Sequence, residues 1–137
     1  MSPEALSVGR AQIGDAGPLI DWILGDVMTA NLPDQAFDLW HDRAVFHFLT
    51  SPEDRQRYLT QVQRTLRNGG YAVVATFADD GPLTCSGLNV ARYSVEQLSQ
   101  EFGNRFALAE TRREEHVTPS GATQSFVYCL FRLDGRI

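Results

Sequence analysis

The most constraining stretch is Tyr71-Ala72-Val73-Val74-Ala75-Thr76-Phe77, a continuous apolar run of strand length without polar alternation. Such a run reads as a strand buried on both faces, as parallel strands in α/β proteins are. A strand of that kind needs packed layers above and below it, so its neighbours in sequence must supply helices. Ser51-Pro52-Glu53-Asp54 carries a helix start, with a capping serine, proline in the first turn and acids near the positive dipole end. Tyr58, Leu59, Val62 and Leu66 recur behind it at helical spacing, and Asn68-Gly69-Gly70 is expected to stop the helix. Ser94-Val95-Glu96-Gln97 has capping-box form and opens a short helix with Val95, Leu98 and Phe102 on one face. Residues 78–93, between strand and helix, read as a long polar loop, and such loops in compact domains are often functional.

Upstream, residues 3–14 read as a short helix (Leu6, Val8 and Ile13 are its apolar members), stopped by Gly14 and the Gly17-Pro18 break. Residues 19–24 read as a strand ending at Gly25-Asp26, and residues 37–41 as a second strand after the Leu32-Pro33-Asp34 turn. Downstream, residues 106–117 and 123–133 are strand-like runs joined by a hairpin connection over 118–122. The predicted fold class is α/β, with strands parallel at first and closed by a C-terminal antiparallel hairpin at one edge.

At 137 residues the chain is long enough for one domain with a real core and too short for two of ordinary size. A net charge of −5 argues against a general nucleic-acid binder, which shows a basic face. All twelve basic residues are arginine, scattered along the chain, and the adjacent pair Arg112-Arg113 is surrounded by Glu110, Glu114 and Glu115. The N-terminus lacks the basic start and apolar core of a signal peptide. No apolar run approaches the roughly 20 residues that span a bilayer. Cys85 and Cys129 sit in unlike contexts, with no metal-ligand spacing. A cytoplasmic location without membrane or nucleic-acid partners is the expectation.

Within "AFDLWHDRAVFHFL" (36–49), His41-Asp42-Arg43 interrupts two apolar segments, and three chargeable groups would be costly if buried without partners. Placed at the carboxyl end of a parallel strand they would line a crevice, which is where open α/β sheets bind ligands. Asp26 would reach the same rim. Each has a plainer reading. Asp26 fits a turn or helix cap, Asp42-Arg43 fits an ion pair and cap, His116 a solvated hairpin position, and Cys85 an ordinary loop thiol. The spacing of His41, Asp42 and His47 matches no zinc signature, so no metal is expected.

The segments "WILGDV" (22–27), "FDLWHDRAVFHFL" (37–49), "EDRQRYLTQVQRTLRNGGYAVVATF" (53–77) and "YSVEQLSQEFG…FALAETRREEH" resemble, in order and spacing, those of a class I S-adenosylmethionine-dependent methyltransferase. The variety is similar to small-molecule thiopurine and type-11/12 domains, and the resemblance runs from about residue 5 to 133. It implies a Rossmann-like sheet and S-adenosylmethionine as cofactor. It further implies that Asp26 and Val27 meet the adenine, and that His41 and Asp42 line the cofactor near the methyl-transfer point. Arg43, His47, Arg92 and Tyr93 are the substrate-side candidates. Methyl transfer from an activated sulfonium rests mainly on alignment and water exclusion, so no catalytic residue is assigned.

The family's glycine-rich turn and its ribose-binding acid have no counterpart here, for the eleven glycines include no G-x-G pair. Residues 1–137 therefore read as a single domain equivalent to the C-terminal two-thirds of a methyltransferase. The strands bearing the missing elements would lie between 19–24 and 37–41, leaving 37–41 as an apolar edge. Direct pairing of the two flanking strands, a partner chain, or a homodimer through that edge would each resolve it, and the homodimer is the expectation. Two functions follow: a truncated methyltransferase-like protein with weak or no cofactor binding alone, or an active small-molecule enzyme once completed by a partner chain or N-terminal half.

Overall fold

The computed structural model describes residues 3–14 and 19–134, and it falls into two compact units, Met1–Asn31 and Leu32–Ile137. The Gly17-Pro18 break lies outside the described residues.

The first unit holds helix α1 (Pro3–Ile13), with Leu6 buried. Residues 19–24 form no strand, a correction to the expectation. An apolar run becomes a strand only beside a partner that takes its N–H and C=O groups, and none pairs with it among the described residues. Leu19, Ile20, Ile23 and Leu24 stay exposed. Trp22 instead folds back on α1, where a Cβ on Gly9 would lie 3.2 Å from its indole, and the Arg10 guanidinium lies 5.7 Å from the ring.

The second unit has a four-stranded sheet in the order β1-β2-β6-β5. Its elements are β1 (Phe37–Arg43), a 3-10 turn (Phe46–Phe48), α2 (Pro52–Thr65), β2 (Leu66–Phe77), β3 (Thr84–Cys85), β4 (Leu88–Asn89), α3 (Val95–Phe102), β5 (Phe106–Val117) and β6 (Thr123–Leu133). β1 and β2 are parallel, while β6 runs antiparallel to both β2 and β5. The parallel start and the closing hairpin are as expected.

The caps are as the sequence implies. Ser51 Oγ accepts from Asp54 N at 3.2 Å with proline beside it, and Ser94 and Gln97 form the full capping box. The stop of α2 is different. The helix ends at Thr65, Leu66 is already extended, and Asn68-Gly69-Gly70 lies inside β2. The register jumps from Phe37↔Leu66 to Leu39↔Tyr71 across it. Gly69 has φ +83, and a Cβ on Gly70 would come within 2.9 Å of Arg67 O. These glycines therefore serve a bulge rather than a helix end.

Cross-strand partners divide the sheet into two faces. Asp42, Val74, Cys129 and Thr111 form one row on the first face; His41, Val73, Leu130 and Glu110 form one on the second. Both helices cover the first face: Phe102 stacks on Phe131 at 4.5 Å, and Phe46 touches Tyr58 and Phe102 at 4.9 and 5.4 Å. Each aromatic pair adds about 1 kcal/mol beyond its buried area. The second face is covered only toward the carboxyl end of β2, where Ala75, Phe77 and Phe126 form a buried cluster. The expectation of burial on both faces therefore holds for that end, while Tyr71 stays 39% exposed.

Candidate functional site

β1 runs two residues past the expected end, so His41, Asp42 and Arg43 are strand residues rather than emerging loop. Pleating then decides their directions. Asp42 turns to the helix-covered face and is buried. Its Oδ1 accepts from Val45 N at 2.8 Å, and its Oδ2 accepts from Phe46 N at 3.0 Å and from the Tyr58 hydroxyl at 2.5 Å. Trp40 Nε1 donates to the same hydroxyl at 2.9 Å. Burial raises the Asp42 pKa, partly countered by its hydrogen bonds, and burial beside Asp42 pushes Tyr58 well above the ordinary phenol range. The carboxylate caps the 3-10 turn that leaves the strand.

His41 and Arg43 project to the opposite face, so His41 and Asp42 do not converge on one ion. Arg43 donates from Nε to Tyr128 Oη at 2.8 Å and from Nη2 to Glu114 at 3.3 Å, with its guanidinium 4.4 Å from the Phe126 ring centroid. The Tyr128 and Glu114 contacts raise its pKa further, so the plate is a fixed cation. Beside it, a groove of about 380 Å³ is lined by Val73, Glu110, Arg112, Glu114, Tyr128 and Leu130.

Beyond the strand ends, His47 is buried, its Nδ1 accepting from Phe77 N at 3.1 Å. Burial lowers its pKa to about 4, so the ring is neutral with its proton on Nε2. It ties the 3-10 turn to the end of β2, and its carbonyl accepts from Ala91 N at 2.7 Å. Tyr93 is buried too, its N–H on Phe77 O and its ring 5.6 Å from Phe46. Arg92 is exposed and clamps the loop by donating to Gly81 O at 3.1 Å.

The loop of residues 78–93 contains a structure the sequence reading missed, a hairpin of β3 and β4. Its signal was Ser86-Gly87, both with positive φ, the pattern of a type I′ turn. Cys85 and Val90 pack on the Ala75, Phe77 and Phe126 cluster, and Leu83 and Leu88, on the same hairpin face, are 66% and 62% exposed. His116 is half-buried, 6.3 Å from Phe126, rather than fully solvated.

Asp26 and Val27 lie in the first unit, in a turn. Asp26 is exposed, its Oδ1 accepts from Met28 N at 2.9 Å, and its carbonyl accepts from Thr29 N and Ala30 N. With no strand at 19–24, Asp26 does not end one. The second unit thus brings Arg43, His47, Arg92 and Tyr93 to one end of the sheet and turns Asp42 into its core.

Solved structures share this fold at low identity. An S-adenosylmethionine-dependent methyltransferase from Methanosarcina mazei is 15% identical over 96% of this chain and 78% of its own, with a TM-score of 0.71. The 1,6-didemethyltoxoflavin-N1-methyltransferase of Burkholderia thailandensis, solved with bound 1,6-didemethyltoxoflavin and S-adenosylhomocysteine, is 16% identical over 97% and 58%, with a TM-score of 0.72. A chain solved in complex with the Haloferax volcanii Trm112 methyltransferase activator is 13% identical over 96% and 68%, with a TM-score of 0.70. The chain thus spans between 58% and 78% of their lengths. No curated protein matches it. Among the described residues no helix is long and apolar enough to cross a membrane. The family described as a methyltransferase domain matches residues 1–74, which is more than half of the chain. This chain therefore belongs to the methyltransferase domain family, whose cofactor is S-adenosylmethionine.

Proposed function

We propose that the chain is a small-molecule methyltransferase-like protein that holds S-adenosylmethionine weakly or not at all by itself. The observation that carries this reading is the commitment of its acids. Asp42, the acid at the end of β1, accepts three donors inside the core, and one oxygen of Asp26 closes its own turn. Neither the glycine-rich turn nor a second strand-end acid is present in the sequence to compensate. The residues present do not make a cofactor holder, so no step of methyl transfer is routed through them.

The alternative, an active small-molecule enzyme, requires the missing loop to arrive at the β1 edge from another segment or chain. In that assembly His41 and Arg43 would form the rim, with Arg43 charged and part-exposed on the substrate side. Arg92 and the exposed leucines of the hairpin would stand around it, with His47 and Tyr93 behind. Asp26 and Val27 would meet the adenine. Fold matches over at least 96% of the chain support reading residues 1–137 as one domain. Free Cys85 and Cys129 are consistent with a cytoplasmic location.

Calorimetric titration with S-adenosylmethionine and S-adenosylhomocysteine tests the reading. The expected result is no binding heat with ligand up to about 1 mM, whereas a Kd on the order of tens of micromolar overturns it in favour of a self-sufficient enzyme.

A further inference from the structure

Among the described residues β1 ends the sheet and is paired on one side only. Ala36 N and Ala44 N both donate toward β2, to Thr65 O and Ala75 O. Backbone groups alternate in direction along a strand, so Leu39, His41 and Arg43 present theirs outward. A groove of about 260 Å³ runs along this edge, lined by Leu32, Phe37, Leu39, Trp40 and His41. Phe37 is 41% and Leu39 56% exposed. An open strand edge flanked by apolar side chains is a template for another strand.

With a second copy of this chain as the occupant, the charges of β1 discriminate among the registers centred on its middle residues. A two-fold axis normal to the sheet would pair β1 with its copy antiparallel and keep each face continuous, which requires residues of the same face to stand opposite each other. Centring on Trp40 places Asp38 against the partner's Asp42, and like charges directly opposite are destabilising. Centring on His41 sets two imidazoles opposite each other and Leu39 against the partner's Arg43. Centring on Leu39 sets Leu39 against its copy, Phe37 against the partner's His41 and Asp38 against the partner's Trp40, with no like charges opposed. The far edge stops further growth, because β5 carries Glu110, Arg112, Arg113, Glu114 and Glu115.

We propose that β1 pairs antiparallel with β1 of a second copy, centred on Leu39, to give a closed dimer with one continuous sheet. The proposal rests on reading β1 as an open edge and deepens the functional reading by naming what occupies it. It removes that edge from any other strand, so the dimer and a completed methyltransferase exclude each other.

Light scattering on a sizing column, at about 10 μM chain, is expected to give a dimer. Leu39→Lys is expected to give a monomer with an unchanged far-ultraviolet spectrum. In a Cys85→Ser background, Leu39→Cys is expected to cross-link on mild oxidation, since opposed antiparallel residues lie about 5.5 Å apart. Trp40→Cys and His41→Cys are expected to cross-link far less. A wild-type monomer overturns the dimer, and a dimer that survives Leu39→Lys, or cross-links best through Trp40→Cys or His41→Cys, overturns the register. Cofactor binding by both wild type and Leu39→Lys would overturn the functional reading and leave the dimer standing.

Discussion

β1 and β5 both end the sheet, yet they are fenced in opposite ways. β5 is exposed along most of its length, and three of its charges are held in ion pairs: Arg113 with Asp80 at 2.8 Å and with Glu115 at 3.2 Å, and Glu114 with Arg43 at 3.3 Å. β1 presents Phe37 and Leu39 outward, while its carboxyl end is locked inward by Asp42. Surface pairs of the β5 kind contribute little stability individually. Their effect is to keep other strands away. The comparison teaches that one edge of this sheet is fenced by charge while the other presents an apolar strand.

The row Asp42–Val74–Cys129–Thr111 crosses the sheet from one edge to the other and allows the sharpest contrast. Asp42→Ala leaves the buried Tyr58 hydroxyl, the buried Phe46 N–H and the part-buried Val45 N–H without their acceptor, with an expected loss of about 4 kcal/mol in urea unfolding. Thr111→Ala, at the exposed end of the same row, is expected to change stability by less than about 0.5 kcal/mol. Equal effects at the two ends would break the comparison.

The next effect comes from His47, whose ring sits between the β1 turn and β2. Unfolded it takes a proton near pH 6.5, but folded only near 4, so stability is full above 6.5 and lost as pH falls through that window. The loss approaches about 3 kcal/mol below the window. Asp42, with its pKa raised on folding, acts in the opposite sense and offsets part of it. Urea midpoints at pH 7 and at about pH 4.5 should separate for the wild type and converge for His47→Asn, whose side chain can still accept from Phe77 N–H. An unchanged pH dependence in the variant would assign the acid sensitivity elsewhere.

Smallest in stability is the double change Glu110→Val, Arg112→Val on β5, expected to shift unfolding by less than about 1 kcal/mol. Its readout is assembly. Removing the fence makes both edges sticky, and sedimentation should show species beyond the dimer. A sharp, unaltered dimer would show that charge is not what protects β5.

Much of the architecture was legible locally. Tyr71–Phe77 had to be a strand, the Ser51 and Ser94 caps had to start helices, and the turn over 118–122 had to reverse the chain, because each signal lies within a few adjacent residues. The misreadings share one cause. Residues 19–24 had strand composition without a strand beside them, and Asn68-Gly69-Gly70 had stop chemistry inside a bulge. Both outcomes depend on neighbours distant in sequence. The β3–β4 hairpin was missed because the alternating runs Leu83-Thr84-Cys85 and Leu88-Asn89-Val90 on either side of Ser86-Gly87 are only three residues long, below the length at which alternation reads as a strand.

The candidate site shows the same division. From the residues themselves came the polar break His41-Asp42-Arg43, the missing glycine pair and the family likeness, all properties of order along the chain. Only the tertiary structure decided that β1 continues to Arg43, which sends Asp42 into the core and Arg43 to the open face. A shift of one residue in where pleating begins would have reversed the two. That parity is set by pairing with β2, and no stretch of sequence read alone contains it.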